Sequence, residues 1–224
     1  MMTTTQKING KRGAEYGIMV EHEFARRING SRTNTNISKT DVIEDIDKRH
    51  SVKNTRKSQH CRFLARSYNV VMNGEWDVFK LYIEARISKN LLEEYSACAK
   101  ICDEMNDPTR GNQILQEVIA GKHGTANLMT IYDNRAERTN EDLSAPFRSF
   151  QIKDVLTLYN TKLIWKPKKG RKHWNVIAML QGFRHIAMTI SLGSPTRRLL
   201  LFTFCNVQKQ ADYWNDVISC RLIK

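Results

Sequence analysis

The sequence has few of the residues that break or cross-link a chain. It contains four prolines among 224 residues, and we find no internal repeat or low-complexity segment, so no interdomain linker is indicated. No apolar run approaches the ~18 to 20 residues of a membrane span, and the first residues contain no apolar stretch resembling a signal peptide. We therefore expect a single domain over residues 1–224, cytoplasmic and without a membrane partner.

Motifs for structural metals and for nucleotide hydrolysis are also sparse. The five cysteines are an odd number without a tight framework, which favours reduced thiols over disulfides. Cys98 and Cys102 lie one helical turn apart, but no second Cys/His pair at zinc spacing accompanies them. No GxxxxGK(S/T) loop is present, so motor activity driven by nucleoside triphosphates is not supported.

Charge is the most informative part of the composition. The chain has 36 lysines and arginines against 23 aspartates and glutamates, a net charge of +13, with a pI of about 9.7. Such an excess in an ordinary globular composition favours a polyanionic partner. Nucleic acid is preferred over a membrane surface because no basic amphipathic anchor is evident.

The order of predicted elements indicates a fold class. Apolar spacing predicts a helix over 13–29, then two short strands over 39–46 and 49–55 around an acidic turn. Helices are predicted over 58–72, 75–88, 91–105, 109–120 and 208–222, and strands over 128–132, 162–165, 174–180, 185–192 and 199–204. This order is typical of an α/β or α+β fold.

The predicted hairpin brings chemically useful side chains together. If its turn centres on Asp47, Asp41 lies opposite Lys53. The same register puts Ile43 opposite Ser51, and the two-residue alternation of a strand then places Ser51 on the face of the other two. Opposed side chains have Cβ atoms about 4.5 to 5.5 Å apart, so the result is either a solvated cross-strand ion pair or a small shared site.

Two glutamates of the first helix differ in their helical neighbours. Glu23 has arginines three and four residues later, which predicts a surface residue in ion pairs. Glu21 has Phe24, Ala25 and Ile28 at the corresponding inward positions, so its carboxylate is expected on the apolar face. A buried acid needs a partner, which can be a divalent metal shared with Asp41 or a lysine or arginine, unless Glu21 only reaches out at the edge of the apolar stripe.

Glu, Asp and Lys converging in a basic protein suggest metal-assisted hydrolysis of a phosphodiester. Carboxylate oxygens suit Mg²⁺, which keeps the rest of its octahedron for waters and phosphate oxygens. The metal lowers the pKa of bound water and neutralises charge on the phosphate, while a nearby lysine orients the nucleophile or stabilises the transition state.

Short motifs around the hairpin carry a family resemblance. They are Ser38-Lys39-Thr40-Asp41-Val42-Ile43, Ser51-Val52-Lys53-Asn54, Ser58-Gln59-His60 and the helical Gly17-x-x-x-Glu21-x-x-Phe24-Ala25-x-x-Ile28. Together they resemble the PD-(D/E)xK nuclease motif of type II restriction endonucleases. Thr40 replaces the proline of the motif, and Ser51 stands where a second acid is expected, so Glu21 would supply the missing carboxylate.

The resemblance implies a fold, an activity and roles for individual residues. The fold would be a restriction-endonuclease-like core, a mixed central sheet flanked by helices, with the catalytic motifs within 13–68. The catalytic set would be Asp41, Ser51, Lys53 and Glu21, in which Lys53 is the base or electrostatic group and Ser51 a water-mediated contact. Asp41, Glu21 and the Val52 carbonyl would hold Mg²⁺. The activity would be site-specific cleavage of double-stranded DNA, most simply by a homodimer with two symmetric active sites.

Contacts with DNA are expected from basic and planar side chains. The loop 166–173, between two tryptophans, is the densest basic stretch, and it is either a solvated turn or a set of phosphate contacts. Arginine bidentate to guanine is the commonest mode of sequence readout. The C-terminal strands and the basic loop within 162–205 are expected to serve DNA recognition. Our DNA-binding candidates are Lys57, Gln59, His60, Lys168, Lys169, Arg171, Lys172, Arg184, Arg197 and Arg198.

Two other functions remain open from the sequence. One is a non-catalytic nucleic-acid-binding protein, viral or ribosome-associated, in which Asp41, Lys53 and Glu21 form only ion pairs. The other is a repair or junction-resolving nuclease of the same fold.

Overall fold

The computed structural model describes residues 4–33, 40–54, 61–67, 77–121, 125–136, 142–193 and 199–224. Its helices are α1 (Thr4–Ile28), α2 (Val78–Ser88), α3 (Leu91–Asn106), α4 (Pro108–Ala120), α5 (Ile152–Lys162) and α6 (Val207–Val217), with a short 3-10 turn at Asn134–Ala136. The strands are β1 (Ser31–Arg32), β2 (Val42–Asp45), β3 (Lys48–Lys53), β4 (Cys61–Ser67), β5 (Leu128–Tyr132), β6 (Phe147–Gln151), β7 (Leu163–Lys169), β8 (Trp174–Leu180), β9 (Ile186–Leu192), β10 (Leu199–Phe204) and β11 (Cys220–Ile223).

The strands form two sheets. The first has six strands in the order β1-β2-β3-β5-β6-β11 and is mixed, because β3 and β5 run parallel while the other neighbours are antiparallel. The second has five antiparallel strands in the order β4-β10-β9-β8-β7. The predicted mixed sheet with helices is therefore confirmed, and the architecture is α+β.

Local sequence explains where several helices start and which face they bury. Tyr16, Val20 and Phe24 recur every four residues of α1 and are buried, so this stripe packs on the first sheet. Asn90 caps α3, where its side chain accepts from the backbone N–H groups of two first-turn residues. Asp107 caps α4 in the same way, with Pro108 in the first turn.

Two apolar clusters cover the two faces of the first sheet. On one face, α1 packs over Val42, Val52 and Phe147. On the other, the larger cluster joins Met129 and Phe150 of the first sheet to the second sheet and to α2 through α6. Full burial of each large apolar side chain contributes about 1.5–3 kcal/mol, so α1 is firmly fixed against the hairpin that it covers.

Three predictions of secondary structure are corrected. The helix predicted over 58–72 is wrong, because 61–67 form β4, which pairs with the apolar β10; that pairing overrides the helical propensity of Leu64 and Ala65. The final helix ends at Val217, and β11 follows and pairs with β6. The strand predicted over 162–165 continues to Lys169, and β6 and α5 were not predicted.

No helix in the described parts of the chain is long and apolar enough to cross a membrane.

Candidate active site

The hairpin β2–β3 forms as predicted, but its register differs. Val42 pairs with His50 and Ile43 pairs with Arg49, with an irregularity before Asp45. The predicted register, which paired Ile43 with Ser51 and Asp41 with Lys53, is therefore wrong by two residues. An error of two residues does not change which side chains of β3 share a face, so the Asp41 side chain still meets Ser51 and Lys53.

Asp41 is the centre of the site. Its Oδ2 accepts a hydrogen bond from the Val52 N–H at 2.7 Å, and Lys53 Nζ and Ser51 Oγ lie 3.3 and 3.4 Å from the same oxygen. Ser51 is fully buried, whereas Asp41 and Lys53 are partly exposed. Among the residues that the structure describes, no donor binds Oδ1 of Asp41, so one carboxylate oxygen of Asp41 is available to a ligand.

Glu21 of α1 lies within electrostatic range of Asp41. Arg32 Nε of β1 donates to Glu21 Oε2 at 2.6 Å. Burial raises the pKa of Glu21, the hydrogen bond from Arg32 lowers it, and the negative charge of Asp41 raises it further, with a smaller lowering by Lys53. The effects of Asp41 and Lys53 on the pKa of Glu21 place the three charged groups within electrostatic range of one another.

Glu21 and Glu23 differ in their ion-pair partners as predicted, but the predicted difference in burial between their side chains is wrong. Glu23 pairs with Arg26 and Arg27, each at 2.7 Å, as expected. Its side chain is nevertheless 15% exposed, against 20% for Glu21. The hydrogen bond from Arg26 is the main reason that the pKa of Glu23 falls to about 2. Glu23 is therefore a structural carboxylate, and Glu21 is a carboxylate that is costly to ionise in the apo protein.

The backbone of Val52 adds an oxygen to the site. In a strand, the N–H and the carbonyl of one residue point to the same side. Because the Val52 N–H binds Asp41, the Val52 carbonyl is directed toward the side of β3 on which Asp41 lies. The Val52 side chain is buried in the core under α1, and this packing fixes the peptide groups of Val52.

The donor set fits a magnesium ion with few protein ligands. Three oxygens, Asp41 Oδ1, Glu21 Oε1 and the Val52 carbonyl, are of the type that Mg²⁺ prefers, and Mg²⁺ usually keeps several waters. Within the described residues, no group of three or more His, Cys, Asp or Glu side chains is arranged to hold a metal, at the hairpin or elsewhere. A cation at the hairpin and α1 would therefore bind two carboxylates and a carbonyl, with waters completing its coordination.

Sequence reasoning missed two residues that shape the site. Arg32 was given no role; a cation directly after the helix that carries Glu21 was the available signal. His50 was given no role either, and it is fully buried behind β3. Its Nδ1 lies 2.9 Å from Thr130 Oγ1 and its Nε2 3.3 Å from Glu44 Oε2. Burial lowers the pKa of His50, which favours the neutral ring, and its contacts support the strand that carries Ser51 and Lys53.

The DNA-binding candidates divide into three groups. Those outside the described residues are Lys57, Gln59, His60, Arg197 and Arg198. The prediction that Lys168 and Lys169 lie in a loop is wrong. They are exposed residues of β7, paired with Asn175 and Trp174 of β8. Arg171 and Lys172 lie in the turn 170–173, and Arg184 lies in the turn between β8 and β9, all exposed.

A buried acid holds the basic turn in place. Glu94 of α3 is fully buried, and its carboxylate accepts from the Trp174 N–H at 2.9 Å and contacts His173 Nδ1 at 3.1 Å. Lys169 Nζ lies 6.0 Å from the centre of the Trp174 ring. The turn that presents Arg171 and Lys172 is therefore anchored at its end, although nothing in the sequence pattern of α3 marked Glu94 for this contact.

Comparisons with known proteins return no match: no family model, no curated protein and no solved structure is similar to this chain.

Proposed function

We propose that this protein is a Mg²⁺-dependent endonuclease that hydrolyses phosphodiester bonds of double-stranded DNA at specific sites, as type II restriction enzymes of the PD-(D/E)xK superfamily do. The observation that carries the proposal is the contact of Asp41 with Ser51, Val52 and Lys53 of β3, with Glu21 of α1 close enough for the charge of Asp41 to affect its pKa. Two carboxylates, a carbonyl and an ammonium group in a basic protein form the donor set that phosphodiester hydrolysis needs.

The roles follow from the contacts of each group. The Val52 N–H fixes the Asp41 carboxylate, and Arg32 fixes that of Glu21, so each acid presents its second oxygen. When bound, Mg²⁺ supplies an activated water and neutralises charge on the phosphate. Lys53, 3.3 Å from Asp41, orients the nucleophile or stabilises the charge that develops on the phosphate. Ser51 supports Asp41 and can contact a water.

DNA would be held largely through its phosphates. Lys168, Lys169, Arg171 and Lys172 are exposed at one end of the β7–β8 pair, where they can neutralise phosphates without reading bases. A homodimer would place two such active sites on the two strands of a palindromic site.

A non-catalytic role has one observation in its favour. Glu21 and Asp41 each already have a cation partner, at 2.6 and 3.3 Å. In a nucleic-acid-binding protein without activity, these pairs would only connect α1, β1 and the hairpin. The endonuclease is preferred because burial raises the pKa of Glu21 and the negative charge of Asp41 raises it further, and two purely structural ion pairs do not require their acids to be this close.

Digestion of plasmid DNA with Mg²⁺ separates the candidate functions. Discrete fragments are expected for a site-specific endonuclease. A smear, or cleavage confined to branched DNA, would indicate a repair or junction nuclease of the same fold. Intact plasmid that shifts in a binding gel would support the non-catalytic protein and overturn the proposed activity.

A further inference from the structure

The positive charge of the protein is concentrated in one stretch of sequence. Between Val155 and Ala211 there are ten lysines and arginines and no aspartate or glutamate. This stretch therefore carries ten of the thirteen net positive charges of the chain. It contains β7 to β10, four of the five strands of the second sheet, and none of the residues assigned above to the candidate active site.

A cavity lies within this acid-free stretch. Its volume is about 630 Å³, and its walls include Arg184, His185, Thr189, Thr203 and Asn206. Thr189 and Thr203 are direct cross-strand partners on β9 and β10, and their neighbours Ile190 and Phe202 are buried on the opposite face. Both hydroxyl groups therefore lie on the outer face of the second sheet, where a ligand can reach them.

The basic groups at the cavity have no acidic partners in the part of the chain that the structure describes. Lys209 Nζ of α6 lies 3.2 Å from His185 Nε2, so the ammonium donates to the ring nitrogen. Arg184 and His185 line the cavity, and neither Arg184 nor Lys209 forms an ion pair with a described carboxylate. An anion beside these groups would supply the missing negative charge.

The walls of the cavity are held in fixed positions. In the turn that carries Arg184, Gly182 has φ +81°, and Tyr213 Oη of α6 donates to the Gln181 carbonyl at 2.9 Å. On the other wall, Asn206 Nδ2 donates to the Ile186 carbonyl at 3.1 Å. These bonds fix both sides before any ligand arrives, and binding to a rigid site loses less conformational entropy.

We propose that this cavity binds a nucleoside monophosphate group, with the phosphate against Arg184 and His185 and Lys209 supplying positive charge behind His185. Hydroxyls of Thr189 and Thr203 donate to the phosphate or sugar oxygens, and Ile186 and the His185 ring contact the nucleoside. A cavity of this size is in the range of small-molecule sites and is larger than a phosphate ion needs. The ligand is either a free nucleotide or the phosphorylated end of a strand, and the proposal does not depend on cleavage by Asp41.

Calorimetric titration of the full-length protein with deoxyadenosine monophosphate tests the proposal. We expect binding that inorganic phosphate competes away and that deoxyadenosine does not reproduce. Arg184→Gln and Lys209→Gln should each weaken binding by about 10-fold or more, since each loses a charge-assisted hydrogen bond. Thr203→Val, which keeps shape and charge, should weaken it by a smaller factor. Lys153→Gln removes one exposed positive charge from α5, outside the cavity, and should bind as the wild type does.

A second titration identifies the source of the phosphate. A short single-stranded oligonucleotide with a 5′-phosphate is compared with the same strand ending in a hydroxyl. Tighter binding of the phosphorylated strand, lost in Arg184→Gln, identifies a strand end, whereas binding of the free nucleotide alone identifies a mononucleotide. The proposal is overturned if neither ligand binds, if deoxyadenosine binds as well as its monophosphate, or if folded Arg184→Gln and Lys209→Gln bind like the wild type. Circular dichroism and Tm establish that each variant is folded.

Discussion

Lys53 Nζ lies 3.3 Å from Asp41 Oδ2, and the N–H of the residue before Lys53 donates to the same oxygen at 2.7 Å. Two consecutive residues of β3 thus hold one oxygen of Asp41, from the side chain and from the backbone. Because these donors share Oδ2, Oδ1 has no donor among the described residues. The hairpin with a shifted register therefore still brings Asp41, Ser51 and Lys53 together.

Removal of either member of this pair should abolish cleavage and leave DNA binding intact. We expect Asp41→Ala and Lys53→Ala each to lower the cleavage rate by about 100- to 1000-fold, the size of effect seen when a key electrostatic group is removed. A partly exposed ion pair contributes only about 0–1 kcal/mol to stability, so both variants should fold. Cleavage kinetics beside a DNA-binding titration and a thermal melt measure the three properties. Near-normal cutting by either variant would show that the hairpin is not the active site.

The two glutamates of α1 form a matched pair with opposite expected effects. Glu21→Gln should lower cleavage by roughly 100-fold with little loss of stability, because burial already disfavours the ionised form of Glu21, as its raised pKa shows. Glu23→Gln should leave cleavage within about 3-fold and cost about 1 kcal/mol, since it removes ion pairs that form at every pH well above the pKa of about 2. Cleavage rates and urea denaturation at neutral pH separate the two. Equally small effects of the two substitutions on cleavage would show that Glu21 is not part of the active site.

The exposed lysines near the basic turn should contribute affinity without specificity. Each phosphate contact contributes about 0.9 to the slope of log K against log salt. A variant with Lys168, Lys169 and Lys172 changed to Ala should therefore show a slope shallower by up to about 3, with unchanged discrimination between cognate and mismatched DNA. Titrations of both DNAs at several salt concentrations measure this. An unchanged slope would place these residues away from DNA, and a loss of discrimination would assign them to base readout.

Buried His50 should make the protein sensitive to mild acid. Its pKa lies below the ordinary value of 6.5 because of burial, so the unfolded chain binds the proton more readily than the folded one. Stability is therefore complete above pH 6.5 and is lost as the pH falls from there through the folded pKa. His50→Phe keeps a ring against Phe24 and should lose less stability over this window. Urea denaturation at about pH 7.5 and about pH 5.5 tests this, and an identical loss in both proteins would contradict it.

The sequence was most informative where local pattern and burial agree. The strands β5, β8 and β10 were predicted from spacing and composition at the bounds that the structure gives. The contact of Asp41 with Ser51 and Lys53 likewise follows from the two-residue alternation of a strand. The error at β4 has a different origin, because that strand is specified by pairing with β10, more than 130 residues away in the sequence.

Features that depend on distant contacts could not be predicted. The hairpin register depends on an irregularity near Asp45, which composition does not encode. Glu94 reads as an ordinary first-turn acid of a helix, and only the fold shows that it holds the turn after β7. The cavity at Arg184 needs α6 to bring Lys209 to His185, a contact between residues 24 positions apart that no periodic pattern indicates.

Cleavage of supercoiled plasmid DNA by the wild type and by Asp41→Asn, each with Mg²⁺ and with EDTA, is the most direct test of the proposed active site. Asparagine keeps the size of Asp41 and can still accept from the Val52 N–H, but it lacks the charge that a divalent cation needs. We expect discrete linear fragments from the wild type with Mg²⁺ alone, and intact plasmid in the other three reactions. Equal cleavage by wild type and Asp41→Asn, or cleavage by the wild type in EDTA, would contradict a magnesium site at Asp41.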